Sequence, residues 1–264
     1  MFEAKLANAS ILKKIVEAMK DLVTDAPFDC NENAMCLQAM DSSHVALVSL
    51  RLDSGLFESY RCDRTVSLGL SLANLSKVLK CANNEDSCTL QYSEDTTDNI
   101  TFSFVDTKKD KTQDLTVKLM DIDSEHLGIP DQTYSVEVDM PAAEFQKTCR
   151  DLSMFSDSLN ITATKAGVVF TGKGDGGQNV VTYGVGTNAD EDGSSNVSVQ
   201  VTEPVNVNFS IKYMNMFAKA TSLSDRVLLS ISNDVPVVVQ YPIEDNGHLR
   251  YYLAPKIDEE EEME

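Results

Sequence analysis

Through most of the chain, apolar and polar residues alternate, and short clusters of Gly, Asn, Asp and Ser separate the alternating runs. The stretches "HVALVSLRL", "SCTLQYS", "NITFSFVD", "DLTVKLMDI", "TYSVEVDM", "SLNITAT", "GVVFTG", "NVSVQV", "PVNVNFS", "RVLLSIS" and "VPVVVQY" alternate or are rich in β-branched residues, which predicts strands. "DNG" at Asp245–Gly247, just before "HLRYYL", predicts a tight hairpin. Four stretches instead carry helical spacing. "SILKKIVEAMKDLV" gathers Ile11, Leu12, Ile15, Val16, Met19, Leu22 and Val23 on one face, with Ser10 expected as N-cap. "LANLSKVLKC" does so with Leu72, Leu75, Val78 and Leu79, and "PAAEFQKTCRDL" with Phe145, Cys149 and Leu152 behind Pro141 in the first turn. "FSIKYMNMFAKA" places Ile211, Met214, Phe217 and Ala218 together.

These helices begin near residues 10, 72, 141 and 209, and such even spacing predicts one helix with several strands, repeated four times. Two repeats make a domain, so the expected fold is α+β, two similar domains each with two helices packed on antiparallel sheet. The break falls in "DIDSEHLGIPDQT", an acidic stretch holding Gly128 and Pro130. The expected division is an N-terminal domain at 1–120, a connector at 121–134, a C-terminal domain at 135–257 and an acidic tail at 258–264.

With 264 residues and 42% hydrophobic content the chain has room for two cores. No apolar run reaches the roughly 18 residues that a spanning helix needs. "MFEAKLANAS" lacks the basic and apolar segments of a secretory signal, so sequons such as "NAS" at Asn8 carry no weight. The six cysteines (Cys30, Cys36, Cys62, Cys81, Cys88, Cys149) have no zinc spacing and are expected as buried or half-buried thiols.

Charge changes the picture most. A net charge of −20 repels phosphate if it is evenly spread, and here it is not. The helical stretches hold nine bases, Lys13, Lys14, Lys20, Lys77, Lys80, Lys147, Arg150, Lys212 and Lys219, against four acids, Glu17, Asp21, Glu144 and Asp151. If the repeat puts the four helices on one face, that face is basic and would hold a nucleic-acid backbone without reading bases.

No catalytic centre emerges. "MDSSH" at Met40–His44 sets Asp, Ser and His close in sequence, but triads assemble in space, and a turn in which Asp41 accepts backbone hydrogen bonds explains it better. "GKGDGG" at Gly172–Gly177 lacks the phosphate-loop pattern and is expected as a hairpin loop. No metal-ligand spacing organises the carboxylates or the three histidines, His44, His126 and His248.

Taken in order, "SILKK", "MDSSHV", "RCDR" with "LSKVLK", "KLMDID", "LGIP", "CRDLS" and "GHLRYYLAPK" before an acidic tail resemble the eukaryotic sliding clamps, the proliferating cell nuclear antigen family, over essentially the full length. The resemblance implies a closed homotrimeric ring with sheets outside and helices lining a hole around double-stranded DNA. It further implies a non-catalytic, cofactor-free processivity factor of replication and repair, located in the nucleus and without a membrane partner. The nine helical bases would face the hole, with Arg61 and Arg64 on the approach to the second helix. Ring closure would pair Asp114–Met120 of one subunit with Gln178–Val185 of the next.

The resemblance also implies a hydrophobic pocket for short peptides of DNA polymerases, clamp loader, flap nuclease and DNA ligase. Its residues would be Met40, His44, Val45, Leu47, Leu127, Ile129, Pro130, Pro236, Tyr252, Ala254, Pro255 and Ile257. From the residues alone, pinning a loop to the body is the favoured reading of Leu127, Ile129 and Pro130. Lys165 stands where the family carries its ubiquitin acceptor. Gly128 stands where some members carry a modified lysine, and the glycine-rich loop leaves the strength of the subunit contact open. Two other classes compete: a subunit of a heterotrimeric checkpoint clamp, and a metal-dependent nuclease using the surplus acids.

Overall fold

The computed structural model describes residues 1–93, 98–123, 127–129, 132–184 and 196–257. Its contacts separate two units. Unit 1 is Met1–Gly128 with Pro242–Leu249, and unit 2 is Ile129–Tyr241 with Arg250–Glu264.

Unit 1 holds β1 (Phe2–Leu6), α1 (Ala9–Met19), β2 (Asp25–Cys30), β3 (Ala34–Met40), β4 (Ala46–Asp53), β5 (Ser59–Cys62), β6 (Val66–Ser71), α2 (Leu72–Lys80), β7 (Ser87–Tyr92), β8 (Asn99–Asp106) and β9 (Lys111–Lys118). One antiparallel sheet runs β5-β1-β7-β8-β9, and the other strands of the unit run β4-β3-β2-β6. The core lies where helices and sheets converge. Leu12 and Leu75 from the helices meet Phe28 and Leu68 from one sheet and Leu90 and Phe102 from the other.

Unit 2 repeats the plan with β10 (Val136–Pro141), α3 (Ala142–Leu152), β11 (Ser158–Thr164), β12 (Gly167–Gly174), β13 (Gly177–Gly184), β14 (Ser198–Val201), β15 (Val205–Ser210), α4 (Ile211–Phe217), β16 (Arg226–Ile231), β17 (Val237–Pro242) and the Arg250–Leu253 part of β18 (Gly247–Leu253). Its strands run β13-β12-β11-β15 and β14-β10-β16-β17. Phe145, Cys149, Leu152, Ile211, Met214 and Phe217 are all buried, as their spacing predicts. Phe217 stacks on Tyr251 with ring centroids 4.5 Å apart.

The four helices start alike. The first helical N–H of α1, at Ala9, donates to the carbonyl of Asp86 (2.8 Å), just before β7. Leu72 of α2 donates to Thr24 (2.8 Å), just before β2. In unit 2, Ala142 of α3 donates to Asp225 (2.8 Å), just before β16, and Ile211 of α4 donates to Asp157 (3.1 Å), just before β11. Each helix is thus capped by the residue that leads out of its partner helix into the next strand. This satisfies a donor that a helix end otherwise leaves open.

Some expectations shift. Helix α1 begins at Ala9 and not after Ser10, and Asn8 occupies the N-cap position without a side-chain bond, because the carbonyls of Asp86 and Asn84 take the Ala9 and Ser10 N–H groups. Pro141 closes β10 and precedes α3, whose N–H bonds begin at Ala142. The β9 ladder reaches back to Lys111, three residues before "DLTVK". Strand β2, "DAPFDC", has no alternation and carries Pro27, yet it pairs on both sides. Cys30, Cys88 and Cys149 are buried and Cys36 and Cys62 half-buried, but Cys81, following α2, is exposed. "GKGDGG" is the expected hairpin loop, with Gly174 opposite Gly177.

Strands β9 and β13 each end a sheet, with a single in-chain neighbour, and each is eight residues long. Two other edge strands bond a neighbouring segment of their own unit: the N–H of Met120 bonds the Gly69 carbonyl of β6 (3.0 Å), and the N–H of Lys256 bonds Asn208 of β15 (2.8 Å).

The Gly69 contact yields a stability test. A Cβ at Gly69 would lie 2.0 Å from the Met120 carbonyl oxygen, whereas one at Gly128 meets nothing within 4 Å. Gly69→Ala is expected to destabilise the protein by about 1–3 kcal/mol, the scale of overpacking. Gly128→Ala is expected to stay within about 0.5 kcal/mol of wild type. Urea unfolding of both variants checks this.

Candidate functional site

The structure sorts the cations predicted to face nucleic acid into several settings. In unit 1, Lys14 on α1 and Lys77 and Lys80 on the last turn of α2 are exposed. Lys13 is half-buried and spends its ammonium on the Ala82 carbonyl and on Asn84 Oδ1 (3.2 Å), fastening α1 to the turn after α2. Lys20 lies just past α1 and pairs with Glu17 at 2.6 Å. Arg61 is not on the helices but on edge strand β5, where Nε and an Nη reach the two oxygens of Asp63 at 2.8 and 3.0 Å. Arg64 follows it in the turn toward β6.

In unit 2, Lys147 pairs with Asp151 at 3.0 Å and Arg150 approaches the same carboxylate at 3.5 Å. Lys212 on α4 is exposed, as is Lys219 on the short 3₁₀ continuation Ala218–Ser222. Both helix pairs therefore combine exposed lysines with cations already held by a neighbouring acid. These pairs move the acids in the expected direction. The Lys20 ammonium, helped by the Ser76 hydroxyl, holds the Glu17 carboxyl below its ordinary value, and Lys147 does the same to Asp151.

The residues expected to receive a peptide fall on both units. On unit 1, Met40, Val45 and Leu127 stand 36%, 38% and 41% exposed, which is unusual for large apolar side chains near one loop. Leu127 is pinned by Gln38 of β3, whose Nε2 donates to the Leu127 carbonyl (3.1 Å) while its Oε1 accepts from the Leu127 N–H (2.7 Å). Gln38 was not legible as a site residue: it reads only as a polar position in an alternating strand. Leu47, by contrast, is 7% exposed and belongs to the core.

The loop carrying His44 and Val45 is built by Asp41, as the "MDSSH" turn predicts. The buried Asp41 carboxylate accepts from the N–H groups of Ser43 (3.1 Å), Val45 (2.8 Å) and Ala46 (2.8 Å). His44 is exposed and sits in the left-handed region at φ 57°.

On unit 2, Ile129, Pro236, Ala254 and Ile257 are exposed, and Tyr252 and Pro255 are half-buried. The Lys256 N–H bond to Asn208 and its Nζ bond to Ser158 Oγ (2.6 Å) hold the Ala254–Ile257 stretch alongside β15. Pro130, His126 and the acidic tail at 258–264 lie outside the described residues. Lys165 is exposed at the two-residue tip of the β11–β12 hairpin, where Gly167 takes φ 141°. Among the described residues, no group of three His, Cys, Asp or Glu side chains is arranged to hold a metal, and no helix is long and apolar enough to cross a membrane.

Comparison with known proteins fits both halves. The family model for the N-terminal domain of proliferating cell nuclear antigen matches residues 1–126, and the model for its C-terminal domain matches residues 128–256. The class is thus the two-domain α+β fold of the sliding clamps. Proliferating cell nuclear antigen of Caenorhabditis elegans is 72% identical over 264 residues, covering 100% of each chain. This chain belongs to the proliferating cell nuclear antigen family.

The Asp41 loop gives the second test. Asp41→Ala leaves three buried or half-buried N–H groups without their acceptor, at roughly 1–3 kcal/mol for an unsatisfied buried group. The expected outcome is a loss of about 2 kcal/mol in chemical denaturation. Faster amide exchange at Ser43, Val45 and Ala46, with the rest of β3 and β4 unchanged, checks that the loss is local.

Proposed function

We infer that this chain is a DNA sliding clamp and polymerase processivity factor, a non-catalytic homotrimeric ring that encircles duplex DNA in the nucleus. The observation that carries the reading is the concentration of nine bases on, or directly after, four short helices of a chain whose net charge is −20. Membership of the family and identity along the whole length support it. Lys13, Lys14, Lys20, Lys77, Lys80, Lys147, Arg150, Lys212 and Lys219 would supply a weak, sequence-independent attraction to phosphate. Arg61 on the β5 edge and Arg64 in the turn after it add at most long-range charge. A clamp must not bind tightly, because a base contact or a strong ion pair would have to break at each step along the duplex.

Ring closure would use the two long edges. A Cβ at Gly167 would lie 2.2 Å from the Tyr183 carbonyl oxygen, so that carbonyl points at β12, and with it the backbone groups of Val181 and Tyr183. Backbone groups alternate in direction along a strand, so Gln178, Val180 and Thr182 present theirs outward. On β9, the Leu119 N–H bonds inward to Asp98 (2.8 Å), which leaves Thr112, Asp114, Thr116 and Lys118 facing out. Pairing these edges head to tail hides both from other partners. The function expected of the connector, 121–134, is to join the two domains and present Leu127 and Ile129 to partners. Peptides from polymerases, the clamp loader, flap nuclease and DNA ligase would anchor apolar side chains against Met40, Val45 and Leu127 of unit 1, with His44 on the same unit. Lys165, at an exposed hairpin tip, suits ubiquitin attachment.

Two measurements test this. Val180→Pro and Thr182→Pro each remove one outward donor while sparing the bonds to β12, so native mass is expected to fall from trimer to monomer. Trimers of undiminished stability in both variants would sink the edge pairing, and a wild-type mass that requires other subunits would favour the checkpoint-clamp class. For the peptide surface, Leu127→Ala is expected to cost about 1–3 kcal/mol of binding, roughly a 5- to 150-fold loss of affinity, with trimer mass unchanged. Calorimetry with a polymerase-derived peptide reads this directly, and equal affinities would remove Leu127 from the site.

A further inference from the structure

The Glu17–Lys20 pair is unlike an ordinary exposed i, i+3 pair. One carboxylate oxygen of Glu17 accepts from Lys20 Nζ at 2.6 Å, while the other accepts from Ser76 Oγ of α2 at 3.0 Å. Ser76 is 6% exposed, so its hydroxyl depends on Glu17 for a partner. The acid is therefore tethered from the buried side and cannot follow Lys20 outward without stranding that hydroxyl. Lys20 is drawn down to 25% side-chain exposure, whereas Lys77 and Lys80 of the adjoining helix extend into solvent. Lys13, Val16, Glu17, Ser76, Leu79 and Lys80 together line a shallow groove between α1 and α2, with Glu17 the single acid among them.

We propose that Glu17 is a positioning residue that latches Lys20 in this ion pair and withholds it from DNA phosphate, setting how weakly the ring grips. This rests on the reading that the helices of unit 1 face DNA. A phosphate that engages Lys20 must displace a short ion pair whose carboxylate is anchored from behind, so the exchange gains little. The groove keeps the positive potential of Lys13 and Lys80, which attracts the duplex, and the latch removes the Lys20 contact that would hold it. Asp151 occupies a comparable station in unit 2, between Lys147 and Arg150.

The test uses full-length trimers loaded on DNA by the clamp loader. Diffusion along duplex DNA and the salt dependence of DNA association are measured for wild type, Glu17→Gln, Glu17→Gln with Lys20→Ala, Glu32→Gln and Lys77→Ala. Glutamine keeps an acceptor for Ser76 and releases Lys20. Glu17→Gln is expected to diffuse more slowly and to steepen the salt slope by about 0.9 for each Lys20 that newly meets a phosphate. Glu32→Gln, which removes the same charge from the exposed β2–β3 turn, is expected to match wild type, and the double variant to lose the gain. The latch is overturned if Glu17→Gln behaves as wild type or as Glu32→Gln, or if the double variant keeps the tighter grip. Lys77→Ala separates the underlying reading: weaker association there with an unchanged Glu17→Gln rejects the latch alone, and no change in Lys77→Ala rejects the DNA-facing helices and the latch together.

Discussion

The reciprocal hydrogen bond at the helix starts is the constraint on which each unit depends. Each helix begins by donating to the carbonyl that leads out of its partner, so neither helix can move along or away from the other without opening a helix end. That bond sets α1 beside α2 in unit 1 and α3 beside α4 in unit 2. With the pair fixed, the apolar faces of both helices turn to the sheets, and the lysines between them have only the solvent side left. The charge pattern of the surface follows from a backbone constraint in the interior.

The consequence for chemistry is a surface of moderated charge. A chain at −20 would repel a phosphate backbone, and its helices reverse that locally. Yet several of the cations are already engaged: Lys13 by the turn after α2, Lys20 by Glu17, and Lys147 and Arg150 by Asp151. Exposed ion pairs of this kind contribute little to stability. Their effect falls instead on how much charge remains for an external polyanion, which is the quantity that a sliding protein must keep low.

The apolar surface obeys a different logic. Met40, Val45 and Leu127 are exposed on a backbone held by polar bonds: Asp41 takes three loop N–H groups and Gln38 takes both backbone groups of Leu127. A loop held by polar bonds does not need to bury its apolar side chains to stay folded, so they are available to another molecule. Leu47, on β4 two residues beyond that loop, is 7% exposed and shows the opposite outcome.

Periodicity and composition determined much about this protein. The 3.6-residue spacing located all four helices within two residues of their starts, because an amphipathic face is written locally. Alternation located many of the strands that bury one face, though β1 (Phe2–Leu6) and β3 went unread, and the even spacing of helices disclosed the fourfold repeat. The uneven charge, too, was legible as a bias toward the helices. Tertiary structure alone decided what is not local. Strand β2 exists because β3 and β6 flank it, despite Pro27 and no alternation. Helix α1 starts at Ala9 because a carbonyl 77 residues away accepts its N–H. Gln38 matters only because Leu127 comes to lie against it, and Lys20 is latched only because Ser76 of a second helix anchors Glu17. In each case the deciding partner is distant in sequence, and hydrogen bonds between distant groups leave no periodic trace in the chain.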